Sequence, residues 1–248
     1  MPFTAAHPSI FLPLFRVRWV STTGLIAGSI SPDFENFLTM STGDVHGHTL
    51  PGLLYFDLPV AVLIAIGFHL LVRDPLTVNL PGWLRRRLEG RWTIDFVADL
   101  KKRWSIFILS CMIGAASHIG WDNLTHNGWA ATNLSFYQSW SMRIGDLDYP
   151  PFYVLQQVST VLGTGAILFY VLMLTPRPLH EGRQTTWWFW PGVAAVFLLM
   201  MWIRLSRMEF NYDRDLGDVI VSGISSLLAG MILMAILAQK RFNSKANG

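Results

Sequence analysis

The sequence predicts an all-α, polytopic helical membrane protein, with about five transmembrane helices and an N-terminal helix pair. Three observations carry this reading. Hydrophobic types make up 52% of the 248 residues and charged types 14%, well short of the ~25% charged that soluble domains carry. Long apolar runs recur along the chain without the polar face that a soluble amphipathic helix shows. The basic residues are gathered in a few segments rather than spread evenly. This composition excludes a disordered chain, a coiled coil, a collagen and a disulfide scaffold. With one cysteine, Cys111, the chain has no internal disulfide and no cysteine-built zinc or iron–sulfur centre.

A spanning helix needs roughly 20 mostly apolar residues. Five stretches approach that length: 53–72, 105–121, 152–174, 189–203 and 217–238. The last is rich in the small residues that let helices approach closely in lipid. Before them, 9–31 is split by Arg16 and Arg18 into two shorter apolar pieces. It is expected to be a helix pair that dips into the bilayer and returns, because a single span would bury both arginines at high cost. It does not read as a signal peptide, since its basic residues follow the apolar start. The amphipathic stretch Trp83–Leu100 is expected to lie along the inner interface, and Trp187, Trp188 and Trp190 to form an aromatic belt. With no internal repeat, 1–248 reads as one integral-membrane domain.

Orientation follows from Lys and Arg in short loops. The 73–104 loop holds Arg73, Arg85, Arg86, Arg87, Arg91, Lys101, Lys102 and Arg103. Arg177 and Arg183 follow the third span, and Lys240, Arg241 and Lys245 end the chain. With five spans these segments share one side, which the rule makes cytoplasmic. Segments 32–52, 122–151 and 204–216 are then on the outer face. Arg204, Arg207 and Arg214 stand there against the rule, offset by Glu209, Asp213 and Asp215. The basic loop suits anionic headgroups, so membrane lipids rather than nucleic acid are the expected partner.

Polar residues then stand out at the outer ends of the helices. His118, Asp122 and His126 are spaced by four, which stacks them on one helical face. Two imidazoles and a carboxylate suit zinc, manganese or iron; a helix end with interfacial His and Asp is the plain alternative. Ser31-Pro32-Asp33-Phe34-Glu35 offers two acids. They either cap a helix start or supply a bridging ligand, Asp33, and a general base, Glu35. His46-Gly47-His48 places two imidazoles in a loop just before a span, as ligands or as a surface turn. His7, ahead of Pro8, joins them if the N-terminus folds back to the outer face. His69 and His180 map to the cytoplasmic half. Asp57, inside the first span, calls for a partner such as Arg143 or a site histidine. Gln156 and Gln157, with Ser159 and Thr160, open the third span at the same level; they either line a polar pocket, Gln156 with Asp57, or bond between helices, and Asp57 alternatively caps the residues ahead of Pro59 and snorkels to the interface. The lysines and arginines fix the topology independently. Under that topology four separate segments deliver metal-type side chains to one face.

The stretches MPFTAAHPSIFLPL, GSISPDFENF, HTLPGLLYFDLP, GAASHIGWDNLTHNG and LQQVSTVLG resemble, in order and over nearly the whole chain, the bacterial membrane family called domain of unknown function 4184. That family's third span often opens Gln-His, where this chain has Gln156-Gln157. More distantly, the His, Pro-Asp and His-x-x-x-Asp series resembles inner-membrane-bound metal-dependent hydrolases, themselves similar to zinc-dependent phospholipase C. In this chain the middle element is the narrower His46-Gly47-His48. That likeness implies a helical fold with a metal cluster held by His and Asp, and implies no substrate.

The expected function is a metal-dependent hydrolase of the bacterial inner membrane. One to three divalent ions, zinc by first choice, would sit at the outer face. His118, Asp122 and His126 would hold one side and His7, Asp33, His46 and His48 the other. A site at headgroup level favours a lipid-like ester or phosphoester as substrate. The rival expectation is a non-catalytic membrane binding or transport protein with a polar site able to hold a metal; the absence of an inverted repeat disfavours a secondary transporter.

Overall fold

The computed structural model describes residues 4–43, 45–91, 95–179, 185–208 and 212–246, without the side chains of 212–215 and 240–246. Asp44, His180, Arg183 and Glu209, with the side chains of Asp213, Arg214, Asp215, Lys240, Arg241 and Lys245, lie outside the described residues. The described chain is helical apart from one two-stranded hairpin.

The chain opens with a 3-10 helix, Thr4–Leu14. Such a run is long for this helix type. Pro8 and Pro13 lie inside it and lack the N–H donors that an α-helix would use. Helix α1, Thr22–Ile30, begins at Ser21, whose hydroxyl accepts from the Gly24 N–H. The expected helix pair is therefore present, with a 3-10 helix as its first member. Helix α2, Phe34–Thr39, is short. Helix α3, Leu53–Asn79, runs well past the expected end at 72 and carries π turns at Leu53–Asp57 and Phe68–Val72.

The amphipathic stretch 83–100 is divided between two helices. Helix α4, Gly82–Leu88, stops before Gly90, which adopts a left-handed φ of 71°. Helix α5, Phe96–Thr125, starts afresh and kinks at Arg103, where φ is −130° and ψ is 30°. Short helices α6, Trp129–Asn133, and α7, Ser135–Gln138, lead to strands β1, Met142–Ile144, and β2, Leu147–Tyr149. The strands pair antiparallel with Arg143 opposite Asp148. Helices α8, Pro151–Met173, α9, Phe189–Leu205, and α10, Tyr212–Ala246, complete the chain.

Among the described residues, four helices are long and apolar enough to cross a membrane: Leu53–Asn79, Phe96–Thr125, Pro151–Met173 and Leu216–Gln239 within α10. The expected fourth span, α9, is an apolar helix of 17 residues, so the count of about five rests on this shorter member.

By proximity along the backbone the chain forms two compact units. The first comprises 1–33, 45–62 and 99–173, the second 34–44, 63–98 and 174–248. In the second, α9 and α10 bury Phe189, Val193, Met234, Ala235 and Ala238 together. Gly192 makes room for the Met234 thioether, and Gly230 for the Val193 carbonyl. A buried ion pair, Arg85–Glu89 at 2.6 Å, closes one turn of α4. In the first unit, α1 lies against α5 and the 3-10 helix against α8, and this is where the polar residues gather.

Candidate metal centre

Helix α1 approaches α5 through small residues. A Cβ at Gly24 would stand 2.7 Å from the Phe107 carbonyl oxygen, and one at Gly28 2.1 Å from that of Cys111. Across the contact, a Cβ at Gly114 would stand 2.5 Å from the Leu25 carbonyl oxygen. Only hydrogen fits at such separations, as at glycine-lined helix crossings in lipid. The approach carries the Ser29 carbonyl to 2.7 Å from His118 Nδ1. A carbonyl oxygen can only accept, so Nδ1 carries the proton and the His118 Nε2 lone pair faces the other way.

That lone pair meets three other groups. His48 Nε2 lies 3.2 Å from His118 Nε2, 3.5 Å from Asp33 Oδ1 and 3.2 Å from Asp122 Oδ2. His118 Nε2 lies 3.6 Å from Asp33 Oδ1 and 3.3 Å from Asp122 Oδ2. All four ligand atoms fall within 4.8 Å of one another. Ligands 2.0–2.2 Å from a tetrahedral ion stand about 3.3–3.6 Å apart, and these five separations, 3.2–3.6 Å, lie at or just below that range.

The surroundings favour a cation as well. Asp33, His118 and Asp122 are buried. Asp33 Oδ1, Asp122 Oδ1 and His7 Nε2 are buried with no hydrogen-bond partner among the described residues. Unsatisfied acceptors of this kind are costly unless something binds them. Two imidazoles and two carboxylates are a donor set for zinc, manganese or iron. The residues therefore fit a divalent ion.

Electrostatics point the same way. Burial alone would raise the Asp33 carboxyl pKa, but contacts from His118, His48 and the Thr4 hydroxyl outweigh it and hold the group well below the usual carboxylate range. Burial, reinforced by the nearby His118, lowers the His7 imidazole to about 4. Burial also lowers the His126 pKa, against the pull of Asp122. His7 and His126 are thus neutral imidazoles at neutral pH, the form that binds metal.

The model of a family described as a domain of unknown function, DUF4184, matches residues 1–236. The chain belongs to that family. No curated protein and no solved structure matches it.

In this DUF4184 chain the predicted site residues divide into three groups. Asp33, His48, His118 and Asp122 converge. His7 and His126 border them. The His7 ring stacks on His118 at 3.8 Å and 20°, with Nε2 3.5 Å from Asp122 Oδ1. His126 Nδ1–H donates to the Asp122 main-chain carbonyl at 3.1 Å, and its Nε2 lies 3.5 Å from Gln156 Nε2. The remaining residues are placed elsewhere. His46 is exposed, with Nδ1 2.9 Å from the Tyr55 hydroxyl. Glu35 is half-buried on α2, outside the four-residue group. Asp57 is fully buried in the first π turn of α3. Arg143, one of its expected partners, is exposed and lies 3.6 Å from Asp148 across the hairpin.

Three contributors to this DUF4184 centre escape a reading of side-chain types. The Thr4 hydroxyl donates to Asp33 Oδ2. The Ser29 carbonyl orients His118. Gly47, between the two loop histidines, lets the loop press on the Pro32 main chain, where a Cβ would stand 2.3 Å from the Pro32 carbonyl oxygen. That contact brings His48 beside Asp33. A signal for Gly47 was available in the His-Gly-His spacing; none existed for Thr4 or for a backbone carbonyl. Beside His7, a cavity of about 440 Å3 runs between the 3-10 helix, α5 and α8, walled by Ile10, Trp121, Leu155, Val158 and Leu162.

Proposed function

We propose that the protein is a membrane-embedded metal-dependent hydrolase acting on a lipid-like ester or phosphoester. The observation that carries this reading is the close grouping of Asp33, His48, His118 and Asp122, whose ligand atoms all lie within 4.8 Å of one another, with Asp33, His118 and Asp122 buried, in a chain that has helices long enough to span a bilayer. Those four residues would hold a divalent ion, zinc by first choice. Such an ion supplies Lewis acidity and makes water acidic enough to act as a nucleophile at neutral pH. Around it, this chain fixes the His118 tautomer through Ser29, braces Asp33 through Thr4, and keeps His7 neutral through burial. Partners of this kind commonly set the strength of a metal site.

Two features support an amphiphilic substrate. The centre lies where α5 ends and α3 is about to begin; with both helices spanning a bilayer, their ends would stand near the lipid headgroups. The apolar cavity beside His7 offers room for a hydrocarbon chain. The gathering of arginine and lysine in the 73–104 loop supports a site on the outer face of a bacterial inner membrane, with that loop and the C-terminus cytoplasmic.

Elemental analysis of detergent-purified protein tests the reading, with wild type beside His118→Ala. Stoichiometric metal in the first and none in the second is the expected result. Hydrolysis of lipid esters and phosphoesters by the loaded wild type, lost in His118→Ala, completes it. Bound metal without turnover on any such substrate would instead indicate a binding protein. A reporter fused within 32–52 checks the orientation.

A further inference from the structure

Asp122 presents two carboxylate oxygens, and the tetrahedral group uses one of them. Oδ2 faces His48 and His118. Oδ1 points to the other side, 3.5 Å from His7 Nε2, and both of these atoms are buried without a hydrogen-bond partner among the described residues. Their separation is again a tetrahedron edge. His7 is not tied to Asp122 by chance proximity alone, because its ring is stacked on His118 at a centroid distance of 3.8 Å and a tilt of 20°. Two nearly parallel imidazoles therefore present their Nε2 atoms to opposite oxygens of one carboxylate.

We propose that the centre holds a second divalent cation between His7 Nε2 and Asp122 Oδ1, with Asp122 bridging it to the first. This rests on the four-residue site proposed above and deepens it. His126 does not complete the second position through Nδ1, since that nitrogen donates its proton to the Asp122 carbonyl. The second cation thus has two protein ligands and keeps open coordination positions, as catalytic ions do and structural ions do not. It also borders the apolar cavity, because His7 is part of the cavity wall. Of the two cations it is the one a bound amphiphile reaches first.

The test uses the full chain in detergent, loaded with Mn(II) alone and freed of loosely held ions. Elemental analysis is expected to give two ions per chain in wild type and one in His7→Phe, which keeps the ring stack on His118 and removes the nitrogen. Electron paramagnetic resonance is expected to show exchange-coupled ions in wild type and isolated ions in His7→Phe. One ion per chain in wild type, with an uncoupled spectrum, would overturn the second position and leave the four-residue site standing. No ion in wild type would overturn both. Two coupled ions retained in His7→Phe would also overturn the inference. Should His7→Phe fail to elute as wild type, His7→Gln replaces it with the same expectations, and the wild-type spectrum decides in either case.

Discussion

Two helix contacts in this protein use the same device to different ends. In the first unit α1 meets α5 through Gly24, Gly28 and Gly114; in the second α9 meets α10 through Gly192 and Gly230. Both allow the close approach that holds helices together where the hydrophobic effect cannot. The second contact encloses Phe189, Val193, Met234, Ala235 and Ala238 and is complete as packing. The first sets a carbonyl, Ser29, against the inner nitrogen of His118 and so aims the outer nitrogen at two carboxylates. Glycine contacts are therefore a neutral feature of such a fold. Which polar atom they deliver, and to what, separates a site from a scaffold.

The largest expected effect comes from filling the first contact. A Cβ at position 28 would lie 2.1 Å from the Cys111 carbonyl oxygen and within 3 Å of the Cys111 Cα. Backbone cannot swing aside as a side chain can, so Gly28→Val must push α1 away from α5. Overpacking commonly costs about 1–3 kcal/mol and occasionally more; with main chain on both sides we expect at least about 3 kcal/mol. Because α1 carries Ser29, bound metal should be lost as well. Thermal unfolding in detergent and elemental analysis read the two losses. A folded Gly28→Val protein with full metal content would show that the α1–α5 contact does not position His118.

Acid is the next probe of the first unit. In the folded, metal-stripped protein His7 titrates at about 4 instead of its ordinary 6.5. Between those values the unfolded chain binds a proton that the folded chain does not. Stability therefore falls as pH drops through this window. At 1.36 kcal/mol per pH unit, lowering pH from 6.5 to about 5 should cost on the order of 2 kcal/mol. Asp33, whose pKa is also depressed, adds a loss of the same sign only at lower pH, below the ordinary carboxylate range. Melting curves of stripped wild type and His7→Phe at both pH values check this. The slope should be shallower in the variant, and an equal slope would mean that His7 is not buried as a neutral ring.

The Thr4 hydroxyl on Asp33 is a smaller contribution. Thr4→Val keeps the shape and removes the donor to Oδ2. Partners of metal ligands commonly contribute 10–100-fold in affinity. We expect the low end, about tenfold weaker metal binding by competition with a chelator, because Asp33 keeps its histidine neighbours. Unchanged affinity would make Thr4 a bystander.

What could be read from the sequence divides along physical lines. The spans were legible because apolar length is a local property, and α5 and α8 lie close to where hydropathy put them. The four-residue spacing of His118 and Asp122 was legible because a helix fixes which residues share a face. Asp33 and His48 were legible only through topology, since the positive-inside rule brought 32–52 to the same membrane face as 122. The 3-10 character of the first helix was not legible, because Pro8 and Pro13 act on backbone donors, which an apolar count does not weigh. The amphipathic pattern over 83–100 does not show where its helices stop; the left-handed Gly90 follows the end of the first of them. His46 and His48 looked equivalent in sequence. The press of Gly47 on Pro32 separates them, sending one ring to Asp33 and the other to Tyr55.

Gly192→Ala gives the smallest expected effect and the sharpest test of the comparison. Its Cβ would meet the Met234 sulfur at 2.1 Å, nominally as severe a clash as the one at Gly28. The obstacle here belongs to a flexible thioether side chain, which can change rotamer where backbone cannot. Replacing a helical glycine by alanine also gains up to roughly 0.5–1 kcal/mol of backbone entropy, here in the first turn of α9. The two contributions oppose each other, and the net change in thermal unfolding should stay within about 1 kcal/mol. Metal content should be unchanged, since no ligand lies in the second unit. A loss as large as that of Gly28→Val would mean that the two contacts are equally rigid. The contrast between backbone and side-chain obstacles would then have to be abandoned, and with it the reason for assigning the site to the α1–α5 contact alone.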